Sequence, residues 1–395
     1  MKDPVQTEIR DLDGANPLPR NRLRAVLYGG GRGIFPPLAE RFREEFEIIQ
    51  LPEIRYPRFL LLFFLLISFR PSKKSWYRRW RHFVEHSPFS FRLMTKARGR
   101  QLARLEGNFD LILHFGAQSA PGPAIDKPYF VFTDSCRILS SRNKYDEVCH
   151  FATKREEKEW LALEGEVYRR SKRIFVGSQF VKDAMTSTYH VSDRHVVVTG
   201  FGAGLGFGLP FDKRYDGKTI LYVGKGDFEK KGGLVLLNAF NHVRREIPDA
   251  VLHVVGQPSL ASTSGIVSHG FITDRDELLT LMRQTHVLVL PSFVDRFGIV
   301  LVEAMACWTP CISSDYGAMP EVVGDAGLVV PCGDDTSLAS AISALLRDRE
   351  WSRALGQNGR RRYETKYNWE QIWQVIRSEM KRSLSSPHDD HIEGK

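Results

Sequence analysis

The chain has 395 residues, 42% hydrophobic and 26% charged, with a formal net charge of +9. That length is too great for one ordinary hydrophobic core and suits two domains, and the composition is that of a soluble globular protein. The opening residues are polar and carry acids, so they do not read as a secretory signal. The cysteines, Cys136, Cys149, Cys307, Cys311 and Cys332, are odd in number and form no CxxC pair. Buried reduced thiols are expected, which suits the cytoplasm.

Residues 1–21 read as a loose polar leader. Arg24 to Tyr28 is a short apolar strand, Gly29 to Gly33 (GGGRG) follows directly, and Pro36 and Pro37 sit where a helix could start. This is strand, glycine loop and helix in order, without the GxGxxG spacing of dinucleotide sites. Phe59 to Phe69 (FLLLFFLLISF) is apolar, but its eleven residues fall short of the roughly 20 that a membrane span needs. Between Arg70 and Arg104 stand eleven lysines and arginines against one acid, Glu85. Such a cluster favours a polyanion: a membrane surface, a nucleic acid or a phosphorylated substrate.

Within that cluster, a helical wheel over Ser72 to His86 puts Trp76, Trp80, Phe83 and Val84 on one face, with Lys74, Arg78 and Arg81 on the other. The pattern suits an interfacial helix on anionic lipid, with Trp76, Arg78, Arg79, Trp80 and Arg81 in contact. A core helix with a solvated basic face, or a groove for a lipid-linked acceptor, would use the same residues. No nucleic-acid module is apparent, so nucleic acid is not expected as a partner.

Phe109 to His114 and Tyr129 to Thr133 read as buried strands, Ala152 to Ser171 as a long charged helix, and Arg173 to Gly177 and His195 to Thr199 as strands. The pattern then restarts after Gly200 to Gly208, which carries five glycines in nine residues and could be a hinge. Thr219 to Val223, Ala250 to Val255, Val287 to Leu290, Pro310 to Ser313 and Leu328 to Val330 are strands, and Leu234 to Arg245, Asp335 to Leu346 and Glu350 to Tyr363 are helical. Strands alternating with helices imply parallel βαβ units, here in two successive α/β domains.

Two loops carry chemistry. The first, Tyr222 to Gly232 (YVGKGDFEKKG), places Gly224, Gly226 and Gly232 around Lys225, Lys230 and Lys231 at the end of a strand. Glycines let backbone N–H groups approach phosphate oxygens, and lysines and a helix N-terminus supply positive charge. Alone, the loop reads slightly more readily as a solvated turn with its lysines in water. The second, Pro291 to Pro310 (PSFVDRFGIVLVEAMACWTP), follows a buried strand and separates Asp295 on a loop from Glu303 on a helix by seven residues. Glu303, about one turn into a helix beginning near Gly298, is placed to accept hydrogen bonds from vicinal hydroxyls such as those of a ribose. Asp295 could bind sugar hydroxyls, and the backbone of Phe297, Gly298 and Ile299 stays approachable. Alternatives are a surface acid and a loop cap, or the paired carboxylates of a glycosidase.

These stretches resemble the signature segments of retaining family 4 glycosyltransferases. Pro291 to Pro310 is similar to their E-x7-E segment, and the lysine loop to their GR…KG loop. Leu252 to Gly256 (LHVVG), His269 to Ile272 (HGFI), Asp315 to Gly333 and Asn368-Trp369 resemble further segments, so the likeness runs from about residue 165 to 375. It implies a GT-B fold: α/β, two Rossmann-like domains facing each other across a cleft. The acceptor domain would span 1–200, joined by a C-terminal helix at about 369–384; the donor domain would span 201–368, with a disordered tail at 385–395.

The resemblance further implies that Glu303 binds the nucleotide ribose and Asp295 the donor sugar. Lys225 and Lys231 would neutralise the diphosphate. The backbone at Phe271 and Ile272 would meet the base, Gly224 and Gly256 would shape the donor site, and Gly30 and Gly31 would approach the phosphates or the reacting sugar. Neither metal nor cofactor is implied; the donor would be a UDP- or GDP-linked sugar. The chain departs from the family at four places. Asp295 is one methylene shorter than the usual glutamate. Lys225 replaces an arginine and its bidentate fork. Trp308 stands where glycine is usual, which implies a differently arranged turn. Thr133 occupies the place of a histidine, leaving Asp134, or less readily His114, to approach the sugar.

The expected activity is retaining transfer of a hexose to a hydroxyl of a glycan or lipid-linked acceptor, with Asp134, Lys225, Lys231 and Asp295 as catalytic residues, in a cytoplasmic protein peripheral to the inner face of the membrane. The alternative is a catalytically silent GT-B subunit that binds a partner or membrane. An epimerase or a phosphorylase on the same fold is a further rival.

Overall fold

Two six-stranded parallel sheets follow one another along the chain in this computed structural model. The structure describes residues 22–29, 36–105, 107–203, 213–215, 217–257 and 264–385. The polar leader, Gly30 and Gly31, most of the glycine stretch after Ala203, and the tail after Ser385 lie outside the described residues.

The first sheet contains β1 (Arg24–Gly29), β2 (Glu47–Gln50), β3 (Leu111–Phe115), β4 (Tyr129–Thr133), β5 (Arg173–Val176) and β6 (Val196–Val198), in the order β2-β1-β3-β4-β5-β6. Its helices are α1 (Pro36–Glu45), α2 (Arg58–Ile67), α3 (Lys73–His86), α4 (Pro88–Ala103), α5 (Arg137–Arg142), α6 (Lys154–Arg170) and α7 (Gln179–Tyr189). The second sheet contains β7 (Thr219–Val223), β8 (Val251–Val255), β9 (Ile266–Gly270), β10 (Val287–Leu290), β11 (Cys311–Ser314) and β12 (Gly327–Val330), in the order β12-β11-β10-β7-β8-β9. Its helices are α8 (Gly233–Glu246), α9 (Arg275–Gln284), α10 (Ile299–Ala306), α11 (Met319–Val323), α12 (Asp335–Arg347) and α13 (Arg349–Arg362). The closing helix is α14 (Trp369–Ser385).

Every residue of β3, β4, β5 and β10 is buried. Helices cover both faces, so these strands are continuous apolar runs rather than alternating ones. Two strands escape the sequence reading, β2 (EIIQ) and β9 (IVSHG). Both are edge strands, partly solvated, and need fewer apolar residues. Helix starts are fixed by side chains: Ser178, Asp274, Asp334 and Asp348 each accept a backbone N–H of the helix they precede.

The closing helix leaves the second sheet and packs on the first unit. The Trp373 ring meets Phe42 of α1 edge-on at 5.3 Å, and Arg377 and Lys381 pair with Glu45 at 2.9 and 3.3 Å.

Two expectations are corrected. The turn at Trp308 is not rearranged: it keeps the left-handed backbone that glycine would adopt, with φ +58°, and the tryptophan is carried in it. Four cysteines are buried as expected, but Cys332 is exposed. On α3 no residue is fully buried, and Trp76, Trp80, Phe83 and Val84 are half-buried, as are Arg78, Arg79 and Arg81. Trp76 is half-buried, donates its indole N–H to the Leu65 carbonyl at 2.9 Å and meets Phe69 at 5.4 Å. The exposed apolar surface belongs to α2 instead, where only Phe64 is buried and Phe59, Leu62 and Leu66 face outward. No helix among the described residues is long and apolar enough to cross a membrane.

Candidate functional site

Each sheet has one point where successive connections depart in opposite directions, between β1 and β3 in the first and between β7 and β10 in the second. Loops after such neighbouring strands diverge and leave a crevice, the usual ligand position in open α/β sheets. The lysine loop follows β7 and the Asp295 loop follows β10, so the fold joins two segments that lie far apart in sequence.

Their contact is close. Gly232, at φ +77°, opens α8, and a Cβ there would lie 1.9 Å from the Pro291 carbonyl oxygen, so only glycine permits the approach. The Phe293 N–H donates to the Lys230 carbonyl at 3.0 Å. Lys231 Nζ donates to Asp295 Oδ2 at 2.8 Å, while Asp295 Oδ1 accepts the Gly298 N–H, also at 2.8 Å, at the start of α10. Asp295 therefore acts as a loop cap and lysine partner at once. Lys225 is exposed on the same loop. Gly256, after β8, lies against Gly224, with its position for a Cβ only 2.4 Å from the Gly224 oxygen.

Glu303 is on α10 with its side chain 8% exposed, and accepts from Arg275 Nη1 at 3.4 Å. A buried carboxylate in that setting is ready to accept hydroxyl donors at low cost, because its desolvation is already offset within the fold. Phe297 contributes backbone only, since its ring is buried against Phe201 and Tyr367. Ile299 is half-buried. Between β9 and α9, Phe271 is 58% exposed and Ile272 half-buried.

The opposite wall comes from the first unit. A cavity of about 280 Å³ opens beyond β3 and β4, lined by Gly116, Thr133, Asp134, Arg137 and, from the second unit, Arg296. Arg296 Nη2 donates to Ser140 Oγ at 2.8 Å and pairs with Asp146 at 3.4 Å. Burial disfavours its charge, but Asp134 and Asp146 outweigh that and hold its pKa above the ordinary value. Asn143 Nδ2 adds donations to the Phe293 carbonyl at 2.9 Å and the Tyr316 hydroxyl at 2.6 Å. The Asp295 loop is thus held between the lysine loop on one side and α5 on the other.

Asp134 is half-buried in this cavity. Thr133 donates its hydroxyl to the Ser135 carbonyl at 2.6 Å and shapes the turn. His114 is buried, with its ring 4.6 Å from that of Tyr28, and burial followed by the Arg98 charge lowers its pKa to about 3. It is a structural residue. Gly30 and Gly31 lie outside the described residues. Trp76, Arg78, Arg79, Trp80 and Arg81 are on α3, beside α2 and α4 rather than in the lysine-loop crevice.

Four residues of the site had no signal of their own in the sequence reading. Arg296 sits inside the recognised loop, and its charge between Asp295 and Phe297 could have marked it. Asn143, Arg137 and Glu164 are assembled by tertiary packing. The Arg137 guanidinium lies between the rings of Phe151 and Trp160, at 4.9 and 5.1 Å. Glu164 is buried and accepts from Trp160, Tyr168, Tyr189 and the Arg137 backbone; burial raises its pKa and these donors oppose the rise. No group of three His, Cys, Asp or Glu residues among the described residues could hold a metal ion.

Residues 217–348 match the family model described as glycosyl transferases group 1. The chain is 37% identical over 180 residues to a phosphatidyl-myo-inositol mannosyltransferase of Mycobacterium leprae, covering 42% of this chain and 46% of that one. It spans about half the length of the curated relatives it matches, or less. Among solved structures it is similar to a sucrose-phosphate synthase from Thermosynechococcus elongatus, with TM-score 0.65, 18% identity, and coverage of 93% of this chain and 100% of that one. It is also similar to Anabaena HepE in complex with UDP and glucose, with TM-score 0.57, 15% identity and coverage of 93% and 100%. At these identities the structural likeness bears on the fold, which is GT-B.

Proposed function

We propose, from the premise that residues 217–348 form a glycosyl transferases group 1 domain, that the chain moves a hexose from a nucleotide sugar to a hydroxyl of a glycan or lipid-linked acceptor, with retention. The observation that carries this reading is the meeting of Lys231, Asp295 and the start of α10 at the β7/β10 crevice, opposite the cavity that holds Asp134.

In this reading Glu303 accepts the two ribose hydroxyls and Arg275 swings aside or shares the carboxylate. Phe271 and Ile272 cover the base. Lys225 and Lys231 take the diphosphate, with the Lys231–Asp295 pair parting as phosphate replaces carboxylate. The bond from the anomeric carbon to the diphosphate oxygen breaks while the acceptor oxygen bonds to the same face. The acceptor proton passes to the departing phosphate. The protein positions both substrates and stabilises the developing charge, so no further group is required of it. Asp134, with its charge set beside Arg296, approaches the sugar from the first unit. UDP or GDP fits the lysine pair equally, and the Anabaena HepE complex with UDP and glucose supports the uridine nucleotide. Contact with an anionic membrane on the inner face of the cell membrane is the corresponding location.

The test is release of nucleoside diphosphate from candidate donors with acceptor present. Glu303→Ala removes two charge-assisted hydrogen bonds and should lower kcat/KM by about 100-fold or more. Asp295 gives the rival its support, because both its oxygens are already used within the protein. A silent subunit would release nothing with any donor, and that result would replace the enzyme reading.

A further inference from the structure

The largest apolar cavity of the described pockets is not in the donor crevice. It is a groove of about 680 Å³ between the α2–α3 hairpin and the start of α6, within the size range of small-molecule sites, roughly 300–1,000 Å³. Its floor and sides carry Phe63, Ile67, Phe83, Phe89 and Phe151. Phe63, Ile67 and Phe89 are 52%, 43% and 55% exposed, an unusual apolar load for water to bear.

The rim is cationic. Glu147, Glu156 and Glu159 line the groove too, but each is already paired, with Arg78, His82 and Arg92 respectively. Arg70, Arg79 and Arg155 have no acid partner among the described residues, and the Arg79 Nε is buried without an acceptor. The groove and the cavity beside Asp134 are neighbours: Ser87 and His150 line the groove, and the adjacent His86 and Cys149 line the cavity. Phe151 lines the groove, and its ring lies 4.9 Å from the Arg137 guanidinium, which lines the cavity. Arg137 is 6% exposed, and its Nε and Nη1 have no hydrogen-bond partner; only Nη2 donates, to the His86 carbonyl at 3.4 Å. A buried guanidinium with open donors is costly unless an anion meets it.

We infer that the acceptor is an anionic amphiphile whose hydrocarbon chain lies in the Phe63–Phe89–Phe151 groove and whose phosphate meets Arg137, which brings its hydroxyl-bearing head toward Asp134. The source is a lipid, not a free phosphate, because the groove opens beside the exposed apolar face of α2 and a soluble phosphate would use none of it. The inference rests on the transferase reading and narrows its acceptor.

The probe is dodecyl phosphate, titrated into the full chain below its micelle concentration and followed by equilibrium dialysis. Inorganic phosphate and dodecyl maltoside are the chain-free and charge-free controls. The expected result is saturable binding of dodecyl phosphate, at least tenfold weaker binding of both controls, and at least a tenfold loss in Phe89→Glu. Arg137→Met should weaken dodecyl phosphate to the level of dodecyl maltoside. Inorganic phosphate or dodecyl maltoside equal to the probe would overturn the proposal, as would unchanged affinity in Phe89→Glu or binding to vesicles alone. Thermal shift by UDP or GDP is read on the same variants. A retained shift with lost probe binding isolates the groove, and probe binding without any nucleotide shift would sink the transferase reading while leaving the amphiphile site standing.

Discussion

At the scale of single residues, Asp295 and Glu303 divide the work differently from their equal standing in sequence. Glu303 is buried and accepts from Arg275 at 3.4 Å, whereas Asp295 is committed to Lys231 and Gly298. Asp295→Ala should therefore cost both activity and local order, seen as a lower Tm, while Glu303→Ala should cost activity with little change in Tm. His114 permits a prediction in pH. Its folded pKa is about 3 against an ordinary 6.5. The unfolded chain binds the extra proton in that window, so stability is intact above pH 6.5 and falls as pH drops toward 3. Between pH 8 and 5 the loss from this one group is about 2 kcal/mol. His114→Phe, which keeps a ring on Tyr28, should flatten the acid side of a Tm-versus-pH curve; an unchanged slope would remove His114 as its source. Trp308 shows the limit of reading a substitution from sequence. The tryptophan breaks the glycine pattern but not the backbone, because Tyr215 donates to its carbonyl at 2.6 Å and Arg360 lies over its ring. Tertiary contacts hold a left-handed turn that its own preference would refuse.

At the scale of elements, the apolar runs of β3, β4, β7 and β10 were legible because burial on both faces leaves one pattern open to them. The edge strands β2 and β9 were not, since half their surface meets solvent. The loop after β10 was legible because all its parts are local. Arg137 and Glu164 were not, since nothing near them in sequence marks the cavity they meet in. The α2–α3 hairpin was legible in part: length, charge and aromatic content were plain, but which helix faces outward depends on how they pack. Since α2 carries the outward apolar face, Leu62→Asp with Leu66→Asp should abolish flotation with anionic liposomes and leave helicity unchanged. Trp76→Ala should instead lower Tm, as it removes a half-buried ring and its bond to Leu65. Flotation that survives the double aspartate variant would take α2 out of membrane contact.

At the scale of the molecule, the two units are joined near the site by polar bonds and by one ring contact, Tyr145 on Phe293 at 4.4 Å. Arg296 and Asn143 make the bridging bonds, and Glu321 accepts the N-terminal amides of α7 at 2.9 Å. Such bonds exchange readily with water, so loss of the bridging side chains should loosen the cleft. Asn143→Ala with Arg296→Ala should enlarge the radius of gyration in solution scattering of the free protein and raise the donor KM. An unchanged radius would show that the closed arrangement is held elsewhere.

The chain passes between the units twice, near Gly200 to Ala203 and again near Asn368, and the two passages touch. Gly200 lies against Tyr367, and a Cβ on Gly202 would stand 2.6 Å from the Trp369 ring. A rigid body tied to another at two neighbouring points can swing about the line through them, but it cannot slide or twist freely. The closing helix, by returning the chain to the first unit, sets a second connection beside the first, like an axle. Any opening of the cleft about that line would carry Glu303 and Lys231 past Asp134 along one arc.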